Sequence, residues 1–331
     1  MSAGRPTVSV VVPVYCSAST LPLLLDRLRT TLVALGLSWE IVLVDDGSPD
    51  GTWETLTRVR AEKPDGIVAV RLMRNYGQHN ALMCGFRHVR GDVIVTMDDD
   101  LQNPPEEIPK LLHALEADNS DLVYGMYDSK EHRSWRNAGS KAVNVFYRLV
   151  FRNGVTVTSF RAMRRPLMEC ILRYDLNFTF IDGLLAWNTQ RIAAVPVEHH
   201  PRATSRSGYS AAKLATLALN MFTNFSLVPL QLVTMLGLML ACGGFGIGFL
   251  YLVLSLRGKI LVPGYASTIT AILVLGGAQL IALGILGEYL GRLHMNVNRK
   301  PQYAERQVLG ATVRSAEPRL VEAESEREVV S

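Results

Sequence analysis

The chain has 331 residues, a formal net charge of +4 and a hydrophobic fraction of 48%. This length suits one large domain with an appendage, and the modest net charge argues against a nucleic-acid partner. The excess of apolar residues lies late in the chain. The cysteines are far apart and show neither zinc-site nor redox spacing, so we expect reduced, structural thiols. They are Cys16, Cys84, Cys170 and Cys242.

Strands and helices alternate between residues 8 and 197. Short runs rich in β-branched residues predict buried strands, and helical spacing of apolar residues predicts the helices between them. The predicted strands are Val8–Val14, 40–44, Ile67–Leu72, a run from Val93, 121–125, 159–163 and Ile192–Val197. The predicted helices are 20–35, 50–60, 75–89, 104–118, 165–174 and one opening at 180–182. This alternation predicts a mostly parallel, doubly wound α/β sheet in a cytosolic domain of residues 1–209.

Carboxylates follow two of the predicted strands. Asp45 and Asp46 follow the second strand, and Asp98, Asp99 and Asp100 follow the fourth. Because ligands bind at the carboxyl ends of strands in open α/β sheets, we expect a ligand site here. A hard divalent cation on Asp98 and Asp100 would neutralise the adjacent charges and clamp a diphosphate, while Asp45 and Asp46 accept hydrogen bonds from a base or ribose. The alternative is a solvated acidic turn.

The segment that follows the fifth predicted strand is basic. Residues 127–152 carry several lysines and arginines, and residues 137–150 have the spacing of an amphipathic helix. Together with the loop around Arg202, this segment is able to hold a second phosphate at a membrane surface. The alternative is ordinary positive charge beside a membrane.

Residues 210–290 are almost uncharged. They predict a juxtamembrane helix at 210–229 and two runs, 230–256 and 266–290, that each exceed the ~20 residues needed to cross a bilayer. The extracytoplasmic turn, 257–265, is short, so the two spans form a hairpin, and the positive charges after it place both ends in the cytoplasm. We expect residues 291–331 to be a cytosolic segment with a disordered tail from 304. A buried soluble hairpin is the alternative.

Several motifs resemble one family. They are VVPVY, VDDGSPDGT, RNYGQHNALMCGF, MDDDLQNPPEEIP and LGEYLGRLHMNVNRKPQY. On these motifs the chain resembles family 2 inverting glycosyltransferases of the GT-A fold. More narrowly, it resembles the polyisoprenyl-phosphate glycosyltransferases, which include the bacterial undecaprenyl-phosphate glucosyl and formamido-arabinosyl transferases and, more distantly, dolichol-phosphate mannose synthase. The resemblance covers most of the chain, including both apolar runs.

The resemblance implies roles for individual residues. The nucleotide would contact Pro13, Tyr15, Asp45, Asp46 and Asp98. The metal, Mg²⁺ or Mn²⁺, and the diphosphate would be held by Asp98, Asp100 and Gln102, with Asp99 in a variable place and not a ligand. The acceptor phosphate would meet Arg133, Arg136, Ser140 and Arg202, and a mobile loop would carry Ser207 and Tyr209. A homotetramer is also implied.

The chain departs from the family pattern in two places. An acid that many relatives carry just before the segment SFRAM is missing from residues 155–158, and Gly208 stands where relatives often have lysine. A base is not required, because a phosphate monoester has a second pKa of ~6 and is largely ionised at pH 7. If an acid assists alongside Asp100, Asp182 is the candidate, and the alternative is that Asp182 caps a helix.

These features predict a membrane-anchored, metal-dependent inverting glycosyltransferase. It would move a sugar from a nucleotide diphosphate sugar to a polyprenyl phosphate at the cytoplasmic membrane face, with UDP favoured because the most similar-looking relatives use it. One alternative is a processive polysaccharide synthase, although two spans are few for a channel. Another is a catalytically silent nucleotide-sugar-binding scaffold or flippase subunit, which the missing acid favours and the intact Asp98, Asp100 and Gln102 oppose.

Overall fold

The computed structural model describes residues 7–127, 157–175, 179–200, 228–257, 264–297 and 301–310, to which all structural statements below refer. The described strands are β1 Val8–Val14, β2 Trp39–Asp45, β3 Ile67–Leu72, β4 Val93–Thr96, β5 Leu122–Tyr127, β6 Arg161–Arg164, β7 Ile192–Val197 and β8 Glu305–Leu309. They form one sheet in the order β7-β5-β6-β4-β1-β2-β3-β8. β1 therefore lies near the middle of the sheet, between β4 and β2.

Helices connect the strands and follow them. The described helices are α1 Leu21–Ala34, α2 Thr52–Glu62, α3 Gln78–His88, α4 Ile108–Ala117, α5 Arg165–Leu172, α6 Ile181–Asn188, α7 Val228–Leu256 and α8 Tyr265–Val297. A 3-10 turn, Pro105–Glu107, leads into α4. Proline suits the start of a helix because its missing N–H would have no partner there, which explains the two-proline signal at this point.

The sheet separates two apolar cores. In β1, Val10 and Val12 pack with α1, α2 and α4, whereas Val11 packs with α3, α5 and α6. Because helices cover both faces, strand residues are apolar on both sides, and the doubly wound arrangement is present. A Cβ atom on Gly85 would collide with Val11, so the close approach of α3 to β1 requires glycine at this position.

The directions of the strands add detail to the predicted sheet. β1 is parallel to β2 and β4, β2 to β3, and β5 to β7. β6, however, is antiparallel to β4 and β5, and β8 is antiparallel to β3. Six of the eight strands therefore share one direction, so the sheet is mostly parallel, as predicted, and β6 and β8 make it mixed. Apolar patterning reveals that a strand exists but does not report its direction.

The last described segment corrects the sequence prediction. Residues 304–331 were expected to be disordered because they are polar and of mixed charge, but residues 305–309 form β8. Val308 packs towards one apolar core and Leu309 towards the other. Pairing with β8 covers an edge of β3 that would otherwise expose unpaired backbone groups. This gain, which depends on a distant strand, is invisible in the local composition.

The helices α7 and α8 are long, apolar and in contact with each other. Within the described residues, Val274–Gly291 is the one stretch that is long and apolar enough to cross a membrane, and Val233–Gly244 is a shorter apolar stretch. Large apolar side chains project from both helices, with Leu238 65% and Leu280 71% exposed. Residues 201–227 and 258–263 lie outside the described residues, so the juxtamembrane helix and the hairpin turn stay predictions.

Candidate active site

Two groups of carboxylates lie at the same edge of the sheet. β1 lies between β2 and β4 and is parallel to both, so these three strands end at one edge. Asp45 is the last residue of β2, and Asp98 to Asp100 follow β4. Pro13 lies near the end of β1, and Tyr15, just beyond it, is 48% exposed. The residues predicted to hold nucleotide and metal are thus brought together.

Asp98 is held by side chains from two other parts of the chain. Gln78 Nε2, at the start of α3, donates to Asp98 Oδ1 at 2.6 Å, and Ser159 Oγ donates to Asp98 Oδ2 at 2.6 Å. Burial raises the pKa of Asp98 to about 6, and the nearby charges of Asp100 and Asp99 act in the same direction. Because a bound cation favours the ionised form, this carboxylate gains more from a metal than an ordinary surface acid does.

Asp99 turns towards the loop that follows β1. Its Oδ2 accepts hydrogen bonds from Tyr15 N at 2.9 Å and from Ser17 Oγ. In the two loops joined in this way, Cys16 and Leu101 have φ angles of 56° and 61°, which residues with a side chain rarely adopt. Such a conformation costs about 1–3 kcal/mol and persists only where surrounding contacts hold it. Asp99 therefore fixes the shape of the edge, which fits its exclusion from the predicted ligands.

Asp100 shapes the turn after the acid cluster. Its Oδ1 accepts a hydrogen bond from Gln102 N at 3.1 Å, and Gln102 O accepts one from His200 N at 2.9 Å. Asp98 and Asp100 are both partly exposed and offer only oxygen ligands, which are the ligands that Mg²⁺ and Mn²⁺ prefer. The donor set at these two carboxylates therefore fits a divalent metal.

The two acids after β2 have different partners. Asp46 accepts backbone hydrogen bonds on both oxygens, at 2.7 and 2.8 Å from the N–H groups of residues 76–77. Asp45 accepts one from Ser48 N at 3.0 Å, while its buried Oδ2 lies 3.6 Å from Arg71 Nε and has no hydrogen-bond donor among the described residues. Burial raises the pKa of both acids. Asp46 thus fixes the loop before α3, whereas the Oδ2 of Asp45 faces the guanidinium of Arg71.

The glycine between these acids and Ser48 is also required by the fold. Gly47 has a φ angle of 69°, and a Cβ atom there would lie 2.6 Å from the backbone carbon of Arg74. The loops after β2 and β3 therefore touch backbone to backbone, which only glycine allows at this position. This contact keeps Asp45 and Asp46 next to the loop that leads to Gln78.

Asp182 belongs to a buried network below the edge. It is 8% exposed, pairs with Arg161 and accepts a hydrogen bond from Tyr124 Oη at 3.1 Å. Arg161, which is 1% exposed, also donates from Nε to Thr96 Oγ1 at 3.1 Å. The cap position of α6 is Phe180, so Asp182 lies in the first turn and is not the cap. A buried arginine needs such a partner because an unpaired charge in the interior is costly.

The same network reaches Asp98. Thr96 Oγ1 donates to Ser159 O at 2.7 Å, and Ser159 Oγ donates to Asp98. The buried ring of His79 lies within the electrostatic reach of Asp182 and Arg161, and its Nδ1 has no hydrogen-bond partner in the described structure. Burial is the main cause that lowers the pKa of His79, so its ring is neutral at pH 7. Asp182 is thus connected to the edge through Arg161 and Thr96.

Comparison with known sequences identifies the family. Residues 9–172 match the profile of Glycosyl transferase family 2. The chain is 38% identical over 306 residues to the undecaprenyl-phosphate 4-deoxy-4-formamido-L-arabinose transferases of Salmonella paratyphi B and Salmonella typhimurium, an alignment that covers 91% of this chain and 93% of each relative. The chain belongs to glycosyl transferase family 2. The predicted resemblance is therefore confirmed.

Solved structures share the fold of this family 2 protein. Glucosyl-3-phosphoglycerate synthase from Mycobacterium tuberculosis, in complex with Mn²⁺, UDP and phosphoglyceric acid, gives a TM-score of 0.50 at 19% identity over 67% of this chain and 78% of that one. The same enzyme with phosphoglyceric acid alone gives 0.50 at 18% identity, over 67% and 81% of the two chains. At these identities the likeness concerns the fold, and it agrees with the predicted GT-A architecture.

The remaining predicted site residues of this family 2 chain are not placed. The predicted acceptor-phosphate and mobile-loop residues lie outside the described residues: Arg133, Arg136, Ser140, Arg202, Ser207 and Tyr209. Of residues 155–158, Thr158 is buried, and its Oγ1 donates to Gly125 O at 2.9 Å. Thr158, the last of these four residues, is thus packed against β5, and residues 155–156 lie outside the described residues.

Sequence reasoning missed the residues that support Asp98. Gln78, Ser159 and Arg161 were not proposed, although Gln78 lies in the motif NYGQH and the other two lie in SFRAM. Polar residues in a segment expected to be a buried strand were the available signal. Their partners come from other strands and helices, however, so the sequence alone did not show which acid each residue would meet.

Proposed function

We propose that this family 2 protein transfers one sugar from a nucleotide diphosphate sugar, with UDP as the first candidate nucleotide, to a polyprenyl phosphate at the cytoplasmic face of a membrane. The product would be a β-linked polyprenyl-phosphate sugar. The observation that carries the proposal is the edge where Asp98 and Asp100 offer carboxylate oxygens beside Asp45 and the exposed Tyr15. The name of the Salmonella relatives, an undecaprenyl-phosphate transferase, supports the acceptor class.

The donor nucleotide would lie across the ends of β1 and β2. Tyr15 offers an exposed ring and Pro13 a partly buried one, and the Oδ2 of Asp45, which accepts no hydrogen bond within the described residues, would accept one from an N–H or O–H group of a base or ribose. Asp46 would act on the nucleotide by holding residues 76–77 in place. The structural neighbour named above binds UDP and Mn²⁺, which makes UDP-sugars the first donors to test.

Asp98, Asp100 and Gln102 would hold the metal against the donor diphosphate. Bound Mg²⁺ or Mn²⁺ would supply positive charge where negative charge grows on the leaving group. Gln78 and Ser159 keep the Asp98 carboxylate oriented for this task. Support for a carboxylate by neighbouring hydrogen bonds is typical of metal sites.

The transfer would be a single in-line displacement. An oxygen of the acceptor phosphate forms a bond to the anomeric carbon of the sugar, and the bond from that carbon to the diphosphate oxygen breaks with its electron pair going to the nucleotide diphosphate. The acceptor phosphate is largely ionised at pH 7, so no proton has to be removed. Asp182 would then serve as a positioning residue that holds Arg161, rather than as a base.

The acceptor would be recruited by the membrane and the basic segments. Arg133, Arg136, Ser140 and Arg202 would meet its phosphate, and the loop with Ser207 and Tyr209 would close over both substrates. The helices α7 and α8 would be two membrane spans, with the catalytic domain in the cytoplasm. The exposed apolar side chains of both helices support this anchor, and the resemblance supports assembly as a homotetramer.

Product detection with the full chain tests the proposal. The detergent-purified protein is incubated with a short polyprenyl phosphate, Mn²⁺ or Mg²⁺ and radiolabelled UDP- or GDP-sugars, with and without chelator. We expect a chelator-sensitive, organic-soluble product that carries one sugar. Asp118→Asn, at an exposed acid after α4, is the matched control and should retain activity.

Two results would overturn the proposal. Polymer in the product would indicate a processive synthase. Metal-dependent binding of a nucleotide sugar without turnover, with every donor and acceptor tried, would indicate a silent binding subunit. Either result leaves the family and fold unchanged, so the test concerns the activity alone.

A further inference from the structure

Three potential metal ligands meet at a place that the transfer reaction does not use. Cys84 and His88 are one turn apart on α3 and therefore share a face of the helix, and Glu305 is the first residue of β8. His88 Nε2 lies 3.0 Å from Glu305 Oε1, and Cys84 Sγ lies 3.5 Å from the same oxygen. The three ligand atoms all lie within 4.8 Å of one another. We call these residues the thiol cluster.

The distances in the thiol cluster match those around a tetrahedral zinc ion. With Zn–S of about 2.3 Å and Zn–N or Zn–O of about 2.0–2.1 Å, neighbouring ligand atoms are about 3.3–3.6 Å apart. The two separations that involve Glu305 Oε1, 3.0 and 3.5 Å, are close to this range, and the Cys84 and His88 ligand atoms lie within 4.8 Å of each other. The side chains therefore need only small movements to accept a metal at their centre.

The ligands of the thiol cluster favour a different metal from the one that Asp98 and Asp100 favour. Thiolate and imidazole are soft or borderline ligands that favour Zn²⁺, whereas carboxylate oxygens favour Mg²⁺ and Mn²⁺. Cys84 is buried, but His88 is partly exposed and Glu305 is exposed, so an ion has an entry path beside Glu305. A simple ion pair explains the contact between His88 and Glu305. The buried Cys84 thiol donates a hydrogen bond to the same carboxylate oxygen, so two potential metal ligands converge on Glu305 Oε1.

We propose that Cys84, His88 and Glu305 bind a Zn²⁺ ion that fastens β8 to α3, with water in the fourth position. This ion would connect the segment that follows α8 to the helix that carries Gln78, whose amide holds Asp98. A metal that links two elements distant in sequence stabilises the folded state, because the unfolded chain has no such site. The proposal does not depend on which sugar is transferred, or on transfer at all.

Cobalt substitution tests the proposal with a signal that reports the thiol. Full-length protein in detergent is stripped of metal and titrated with Co²⁺, and the thiolate-to-cobalt charge-transfer band is followed in the ultraviolet. The acids Asp98 and Asp100 offer only oxygen, so Co²⁺ bound there gives no such band. We expect the band in the wild type and its loss in Cys84→Ser. Cys16→Ser and Cys170→Ser should retain it, since both cysteines lie outside the thiol cluster.

A second pair of variants covers the case in which Cys84→Ser does not fold. Glu305→Gln and His88→Gln change side chains that are exposed and partly exposed, respectively, rather than buried. We expect each to weaken Zn²⁺ binding by at least about tenfold in a chelator competition. Zn²⁺ should also slow hydrogen exchange of the amides of residues 305–309 in the wild type but not in Glu305→Gln.

The proposal is overturned by any of three results. The wild type shows no thiolate band and no retained zinc, the band persists in Cys84→Ser, or Glu305→Gln and His88→Gln bind Zn²⁺ as tightly as the wild type. In each case the thiol cluster is a hydrogen-bonded contact without a metal.

Discussion

Asp98 and Asp100 lie at the sheet edge where β1, β2 and β4 end, which we call the open edge. They have the same chemistry as the buried carboxylates beneath this edge, but different partners. Asp98 and Asp100 accept hydrogen bonds from neutral groups, lie beside one another and are partly exposed. Asp46 and Asp182 are buried, and backbone N–H groups or Arg161 occupy their oxygens. The hydrogen bonds that hold the first pair come from uncharged groups, and the second group has its hydrogen-bonding capacity used within the fold. The partners thus separate binding residues from positioning residues.

Substitution at the open edge should have the largest effect on activity. Asp100→Asn removes one charge of the proposed metal site, and we expect the rate of sugar transfer to fall by at least about 10³-fold, which is about 4 kcal/mol in the barrier. The unfolding transition should not change, because Asp100 accepts one turn hydrogen bond that asparagine can also accept. Transfer assays and thermal unfolding of the same preparation measure both quantities.

The matched control for this prediction is Asp118→Asn, which removes an equal charge from an exposed position. Activity of Asp100→Asn close to that of the control would remove Asp100 from the proposed machinery. A parallel loss of activity and folding would show that the acid cluster is structural.

Substitution in the buried network should act mainly on stability. Asp182→Asn leaves Arg161 charged and without its acidic partner, and we expect the free energy of unfolding to fall by about 3 kcal/mol. Activity should fall with an unchanged pH profile, because Asp182 acts through Arg161 and does not exchange a proton. Denaturant unfolding and rate measurements across pH give these two quantities.

A double variant sharpens the result. Arg161→Met combined with Asp182→Leu removes both charges, and it should be less destabilised than Asp182→Asn alone. Glu169→Gln breaks the exposed pair with Arg165 and should leave the unfolding transition almost unchanged. A new pH dependence of the rate in Asp182→Asn would instead support the role of a base.

The sequence predicted the open edge much better than the network beneath it. Asp45 and Asp98 to Asp100 follow apolar strands, and strand ends share an edge in α/β folds, so local patterning was enough to place them. Arg161 and Asp182 lie in different elements, and their pairing depends on β6 entering the sheet antiparallel beside β4. β8 was missed for the same reason, since its stability comes from the distant edge of β3. Local patterns report contacts along the chain, and these contacts are long-range.

A smaller effect should separate the two acids after β2. Asp46→Asn places an amide group against two backbone N–H donors, so one donor loses its acceptor, and the free energy of unfolding should fall by about 1–2 kcal/mol. Asp45→Asn should cost less stability and instead weaken UDP binding by about tenfold. The substitution changes the carboxylate whose Oδ2 accepts no hydrogen bond within the described residues and is proposed to accept one from the nucleotide. Unfolding curves and nucleotide titrations of both variants test this. Equal losses of stability would show that Asp45 is also a structural residue.

The smallest predicted effect concerns the pH dependence of the buried network. Burial lowers the pKa of His79 below its ordinary value of 6.5, so the folded protein keeps the ring neutral while the unfolded chain takes up a proton below that pH. The unfolded state then binds more protons, and stability must fall as pH decreases through 6.5. Between pH 7.5 and 5.5 the loss from this residue should be about 1 kcal/mol.

His79→Gln removes the titrating group, so its unfolding free energy should decrease less over this range than that of the wild type. In His79→Phe the unfolding free energy should change equally little with pH, because this variant also lacks the titrating imidazole. The other titrating groups are the same in all three proteins, so their contributions cancel in the comparison. A slope equal to that of the wild type in both variants would mean that the pKa of His79 is the same in the folded and unfolded chain, and a steeper loss in both would mean that His79 is protonated in the folded state and pairs with Asp182. The network would then hold two cations on one carboxylate, and Arg161 would no longer be its only buried charge to require a partner.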